Sequence, residues 1–462
     1  MKIILLPLSL FLTILISCRS KSSHNRPDEV VEERSEVRLI TLDPGHFHAS
    51  LVQKTMYENI SPTVHVYAPE GPDVKQHLER IRSYNNRAEG PTAWKEIVYT
   101  GPDFFEKMLI EKPGNVVVLS GNNKKKAEYI SKSIKGGLNV LADKPMIIHS
   151  EDFPKLEEAF KVAAEKGLLL YDIMTERYEV TTMLQKELSQ KEEIFGKLQS
   201  GSVKEAAVIK ESVHHFSKLV SGAPLLRPAW FFDVGQQGEG IVDVTTHLVD
   251  LIQWECFPDQ ILDKTDVTMT SARRWTTPVS KNEFREVTGL DSFPGYLLKD
   301  IKDNILNVFS NGEMIYQIKG IWAKVSVEWK YKAPPGGGDT HYSVMRGTKC
   351  DLVIRQNANE KFIPELYIEN LRGTTMNEFT PKLKEILHTL PYDSLSFERV
   401  TEKSIRITFP KKYRVGHEEH FSQVSRKFLQ YMKEGKLPQW EIAGMITKYY
   451  TTTSALKKAM GE

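Results

Sequence analysis

The sequence predicts an α/β chain, with an N-terminal doubly wound parallel sheet followed by a C-terminal α+β domain on a large, mainly antiparallel open sheet. Two observations carry this prediction. Short apolar runs at 37–42, 64–67, 96–99, 116–120, 139–142 and 168–171 alternate with helical patterns, the order that sandwiches a parallel sheet between helix layers. Beyond Trp254 the pattern changes to alternating, β-branched stretches such as 319–329 and 403–409, which suit strands with one covered face. The length of 462 residues, 40% of them hydrophobic and 26% charged, is enough for two to three domains.

Taken in order, the chain opens with Lys2 and an apolar run over 3–16, shorter than the ~20 residues a membrane-spanning helix needs. It reads as an export signal. Leu15, Ile16, Ser17 and Cys18 resemble a bacterial lipobox, which makes 1–17 a lipoprotein signal, Cys18 the lipidated residue and 18–36 a polar tether. The first strand at 37–42 leads through a turn at Asp43, Pro44 and Gly45 into a helix running to Tyr57. After the strand at 139–142, Ser150 is a candidate helix cap, Phe153, Leu156 and Phe160 form an apolar stripe, and Gly167 is the stop.

Two constellations carry the chemistry. The stretch GLNVLADKPM at 137–146 ends a buried strand on Asp143, Lys144 and Pro145. Proline pushes Lys144 into extended or turn backbone, at the end of the sheet where α/β proteins bind ligands. About a hundred residues later, Asp243, His247 and Asp250 fall at i, i+4 and i+7 among Val242, Leu248, Val249 and Ile252, the pattern of a largely buried helix with one polar wall.

The segment 137–146 resembles the strand and Glu-Lys-Pro turn of the Gfo/Idh/MocA family of nicotinamide-dependent sugar and polyol oxidoreductases, with Asp143 in place of Glu. Asp243, His247 and Asp250 match that family's helix motif. The resemblance runs from about Val37 to Phe257 and returns weakly in the last helices. It implies a Rossmann domain over 37–173 and a substrate or oligomerisation domain over 174–462, in which the insertion at 264–411 matches no motif. It further implies Lys144, Asp243 and His247 as the catalytic set for oxidising a secondary alcohol, which needs a base for the hydroxyl proton: His247 with an ordinary pKa near neutrality, Asp243 to orient it and Lys144 to stabilise alkoxide character, the roles of Asp243 and His247 being interchangeable at this level. The cofactor, NAD or NADP, would be tightly held near Gly45, His46, His48, Glu70, Ser120, Gly121, Asn122, Asp143 and Lys144. Arg177, Tyr178, Trp230 and His247 would face the substrate. Arg177 has an equal reading as a structural ion pair.

The nucleotide turn departs from the family. Asp43 replaces the first glycine of Gly-x-Gly-x-x-Gly and should repel a pyrophosphate, only Gly45 is kept, and Ala68 stands where an acid usually holds the adenosine ribose. Asp73 is a second candidate, beside Glu70, for that role. His46 and His48 can reach a phosphate. A metal reading lacks a third ligand, and no metal is expected.

The expected activity is nicotinamide-dependent oxidation or reduction of a carbohydrate-like alcohol. Two alternatives stand beside it: a glycoside hydrolase or lyase that oxidises its sugar only transiently, and a non-catalytic sugar-binding or sensor lipoprotein. Without Lys2 the chain carries 61 basic and 60 acidic residues, which leaves no footprint for nucleic acid. The expected partners are a small carbohydrate, a membrane reached through lipidated Cys18 on the periplasmic side, and a second copy through the C-terminal sheet. Once Cys18 is lipidated, Cys256 and Cys350 remain, paired or free.

Overall fold

The computed structural model describes residues 36–220 and 223–462. The expected signal 1–17, Cys18 and the tether up to Ser35 lie outside the described residues. Strands β1 (Leu39–Leu42), β2 (Thr63–Ala68), β3 (Lys95–Thr100), β4 (Val116–Leu119), β5 (Asn139–Asp143) and β6 (Leu170–Ile173) form one parallel sheet in the order β3-β2-β1-β4-β5-β6. All residues of β1, β4, β5 and β6 are buried, which explains their mainly apolar runs. The strand order reverses between β1 and β4, and the crevice at that switch point is where such sheets bind ligands.

Helices α1 (His48–Leu51), α2 (Pro72–Asn86), α3 (Phe104–Glu111), α4 (Lys126–Lys135) and α5 (Phe153–Lys166) connect these strands. The helix expected to reach Tyr57 stops at Leu51. The backbone oxygens of Gln53 and Lys54 accept hydrogen bonds from Trp94 Nε1 (2.5 Å) and Arg87 Nη2 (2.8 Å), so the chain there is tied to its neighbours. Ser150 does not cap α5. Its Oγ turns to Glu151 (3.2 Å), and a short 3-10 turn over 150–152 leads into the helix. Gly167 does end α5, in left-handed conformation at φ 64°, with Leu168 N donating back to Ala163 O (2.8 Å).

After α6 (Val180–Ser189) come β7 (Val208–Ser217), the small hairpin β8 (Leu219–Val220) and β9 (Ala223–Pro224), α7 (Val234–Gln237) and α8 (Thr245–Cys256). They are followed by β10 (Val267–Val279), α9 (Lys281–Thr288), β11 (Ile301–Lys302), β12 (Ile305–Ile318), β13 (Ile321–Lys332), β14 (Thr340–Arg346), β15 (Asp351–Arg355) and β16 (Glu365–Glu369). Then come α10 (Met376–Thr389), β17 (Ser396–Thr401), β18 (Ser404–Thr408), α11 (His417–Glu434) and α12 (Gln439–Ala459). The second sheet has ten strands, with the path β10-β12-β13-β7-β14-β15-β16-β18-β17 and β11 beside β12. Its pairs are antiparallel except for β13 with β7. The unassigned insertion 264–411 therefore supplies most of the sheet. Helix α8 lays Leu248, Val249 and Ile252 against Met314, Tyr316 and Val325 in its core.

The chain then returns to the first sheet. Phe421, Val424 and Phe428 of α11 and Met445 and Tyr449 of α12 are buried in the same core as β1 and β5. Cys256 and Cys350 are free thiols. Among the described residues no helix is long and apolar enough to cross a membrane.

Candidate active site

The ends of β1, β4 and β5 face the second sheet across a cavity of about 640 Å³, whose wall includes Gly121, Asp143, Lys144, Asp243 and His247. Lys144 follows β5, in a cis peptide with Pro145. Its Nζ donates to Asp243 Oδ1 at 2.6 Å across 99 residues, and Gln237 Nε2 donates to Asp243 Oδ2 (3.0 Å). Asp243 therefore anchors Lys144 and does not orient His247 through Nδ1, which is buried without a hydrogen-bond partner. The physical reason is local. Asp243 lies in the turn before α8, where the amides of Val242 and Asp243 both bond to Glu239 O (2.9 Å each), and the helix itself begins at Thr245. Burial, reinforced by Lys144, holds His247 neutral well below its ordinary pKa.

Asp250, one turn further on, belongs to a separate buried ion network. Arg177 reaches it through Nε (2.6 Å) and Nη2 (2.7 Å) and holds Glu441 through Nη1 (3.0 Å). Lys448 Nζ bridges Asp250 (2.8 Å) and Asp172 (2.7 Å). Two expected substrate residues are corrected here. Arg177 is spent on this network, and Tyr178 packs against the first core; neither lines the cavity, whereas Glu176 does. Burial, then Glu179 and Asp339, push the carboxyl of Glu176, the immediate neighbour of the two residues the resemblance implied, up to about 7.

Trp230 is the third correction. It sits over the nucleotide turn, with its Nε1 donating to Asp73 Oδ2 (2.8 Å). A Cβ on Gly45 would come within 2.9 Å of Trp230 and 3.0 Å of Asp73. Gly121 packs on the same turn, since a Cβ there would lie 2.1 Å from Asp43 O. Asp43, expected to repel a pyrophosphate, accepts from Tyr129 Oη (3.0 Å), and burial raises its pKa.

The remaining expected cofactor residues divide. Glu70 is exposed, and Asp73 rather than Glu70 faces the turn. Asn122 Nδ2 donates to Gln236 (2.7 Å) and so ties the loop after β4 to α7. Ser120 Oγ donates to Asp143 Oδ2 (2.9 Å), and His48 Nδ1 lies 3.0 Å from the same oxygen. Lys126, buried below this point, donates to Asp143 O (2.8 Å), and burial lowers its pKa to about 8. His417, at the start of α11, completes the wall; its ring is 5.1 Å from that of His48. The hint in the sequence was the pair of histidines at 417 and 420, which had no partner until the helix folded back.

A lysine-proline turn at the switch point, facing the open mainly antiparallel sheet, is the arrangement that the resemblance to the Gfo/Idh/MocA oxidoreductases implies. Residues 184–460 match the family described as "Putative oxidoreductase C terminal domain", and the chain belongs to that family. A crystal structure described as "a putative oxidoreductase" from Parabacteroides merdae ATCC 43184 is 55% identical over 93% of this chain and 98% of that one, with a TM-score of 0.90. Two more distant structures share the fold. One is a 3-ketoreductase from Actinomadura kijaniata in complex with TDP-benzene and NADP (13% identity, 92% and 97% coverage, TM-score 0.54). The other is described as "a putative myo-inositol dehydrogenase" from Sinorhizobium meliloti 1021 (12%, 92% and 98%, TM-score 0.52). Among curated proteins none matches.

Proposed function

We propose that the protein exchanges a hydride between a nicotinamide dinucleotide and a secondary alcohol, or its ketone, on a sugar, polyol or glycoside. The observation that carries this is the Lys144–Asp243 pair at 2.6 Å in a cavity shared with His247. The cavity suits a nicotinamide and a sugar-sized molecule together. The pyrophosphate crease at Gly45 is covered by the hydrogen-bonded side chains of Trp230 and Asp73, and both would have to swing aside for a dinucleotide to enter. Gly121, Asp143 and Lys144 would hold the nicotinamide end, and the bound ring would supply or accept the hydride.

The chain's own residues do the rest. Lys144 directs its ammonium toward the reacting oxygen and offsets alkoxide charge. Asp243 keeps that ammonium in place, and neutral His247 is free to accept the hydroxyl proton. Glu176 favours a second reading, transient oxidation followed by elimination of an aglycone. A carboxyl pushed up to about 7 can protonate a leaving group, which simple hydride exchange does not require. The proposal includes export and a lipid anchor at Cys18.

Mass spectrometry of dinucleotide released on denaturation tests the cofactor. Net nicotinamide absorbance change with a sugar panel supports the first reading, and aglycone release with no net change supports the second. Lys144→Ala and His247→Ala should each lower kcat by about 10²–10⁴-fold with KM little altered. Near-wild-type kcat in either variant refutes the assignment.

A further inference from the structure

We propose that His46 Nδ1, His48 Nδ1 and Asp143 Oδ2 bind one divalent transition-metal cation of the zinc type, with its remaining coordination positions open to the cleft. The inference does not rest on the hydride-exchange reading. It sets aside the expectation of no metal, because the third ligand that reading lacked arrives from β5, 95 residues beyond His48.

The geometry comes first. The two imidazoles stand edge to face, 4.0 Å between centroids and 81° apart, and their Nδ1 atoms lie 3.4 Å (His46) and 3.0 Å (His48) from Asp143 Oδ2. All three ligand atoms fall within 4.8 Å of one another. A cation bonded at about 2.1 Å separates ligands by about 3.0–3.4 Å when they subtend right to tetrahedral angles. The second observation concerns the hydrogen bonding of the same atoms. His46 Nδ1 is buried and makes no hydrogen bond, although it points into this cluster.

Charge gives the third. Asp143 is only 3% exposed, and among the described residues no ammonium or guanidinium reaches its carboxylate. Lys126 bonds to its backbone oxygen, and Lys144 is taken by Asp243. A buried carboxylate without a cation is costly. The same cleft holds an instructive counterpart: Asp339 also meets two histidines, His214 (3.0 Å) and His215 (3.3 Å), but there Lys218 supplies the ammonium in direct contact. At Asp143 the corresponding position has no ammonium. His48 Nδ1 lies 3.0 Å from the same carboxylate oxygen, which can only accept, so a metal bound at Nδ1 takes the place of the hydrogen in that bond and the ring keeps its proton on Nε2.

The ligand set selects the ion. Two imidazoles and one carboxylate suit Zn²⁺ or Fe²⁺ and are poor for Ca²⁺ or Mg²⁺, which prefer all-oxygen shells. Ser120 Oγ on Asp143 Oδ2 and Lys126 on Asp143 O are outer contacts that hold the carboxylate in orientation.

The test is Co²⁺ titration of the purified full chain after chelator treatment and dialysis, read by visible d–d absorption and competed with Zn²⁺. We expect one equivalent of Co²⁺ per chain, displaced by Zn²⁺, with binding weakened at least about 100-fold in both His46→Ala and His48→Ala. His214→Ala, at the lysine-filled counterpart, should bind like wild type. His46 is the more exposed ligand, so His46→Ala keeps the test sound if His48→Ala fails to fold. Absence of a Co²⁺ spectrum in the wild type, unchanged affinity in folded His46→Ala, or loss of binding in folded His214→Ala each overturns the proposal. Dinucleotide content, measured separately by mass spectrometry, shows whether the hydride-exchange reading stands or falls on its own.

Discussion

Asp250→Asn separates the structural from the chemical part of the α8 motif. Asp250 is 2% exposed and accepts three charged hydrogen bonds, two from Arg177 and one from Lys448. Removing one partner of a buried ion pair costs about 3–5 kcal/mol. The lower end applies here, because Arg177 keeps Glu441 and Lys448 keeps Asp172. The compact unit Glu36–Glu462 contains 427 residues. At about 2.1 cal/mol/K per residue its unfolding entropy is about 0.9 kcal/mol/K, so a loss of about 3 kcal/mol lowers Tm by about 3 °C. The two guanidinium bonds and Lys448 hold the Asp250 carboxyl well below its usual range. A depressed pKa contributes stability above the unfolded value, near 3.9, and loses it as pH falls toward the folded one. Calorimetry should therefore show the Tm gap at pH 7 and its shrinkage below about pH 4, with kcat within about twofold of wild type. An unchanged Tm, or a tenfold fall in kcat with Tm intact, refutes the division of roles.

Glu176→Gln should flatten a pH dependence of stability. With its folded pKa raised to about 7, the native state holds a proton that the unfolded chain releases near 4.3. Stability is therefore lost as pH rises between those values, and about 3.5 kcal/mol returns in the variant at pH 8; equal pH slopes in denaturant melts of the two proteins would reject this. Cys18→Ala, or globomycin treatment, should remove the protein from the lipid-labelled membrane fraction, and a native chain that takes up no labelled fatty acid and stays in the cytosol rejects the anchor.

How much of this could be read beforehand depended on whether the cause was local. Strands β1, β4 and β5 were legible because an all-buried strand is mostly apolar, and Lys144 was legible because strand end and proline place it together. The i, i+4, i+7 pattern took Asp243, His247 and Asp250 for one helix face; Asp243 instead lies in the turn before α8, and of the three only Asp243 and His247 line the cavity, because periodicity cannot say where a helix begins or what lies opposite. Asp243 meets Lys144 and Asp250 meets Arg177 because of how β5 and the turn before α6 pack on α8. The same limit hid Arg177 with Glu441, 264 residues apart, and the return of α11 and α12 into the first core. Trp230 was read as a pocket residue from its type alone; its Nε1 instead found the Asp73 carboxylate, a partner set by the approach of the two sheets.

The acids near the nucleotide turn argue against treating its lost glycines as simple decay. Asp43 is drawn into the core by Tyr129, Asp73 is engaged by Trp230, and Asp143 lies between His46 and His48. Each carboxylate that would oppose a pyrophosphate thus has a polar partner on this chain. The glycines of the usual turn let backbone approach phosphate directly; here histidines occupy that loop and turn their Nδ1 atoms inward to Asp143. A loop that had merely lost its ligand would have no reason to bury two imidazoles against a carboxylate already held by Ser120. The convergence makes best sense if the loop after β1 still binds something in the cleft, through side chains where its relatives use backbone.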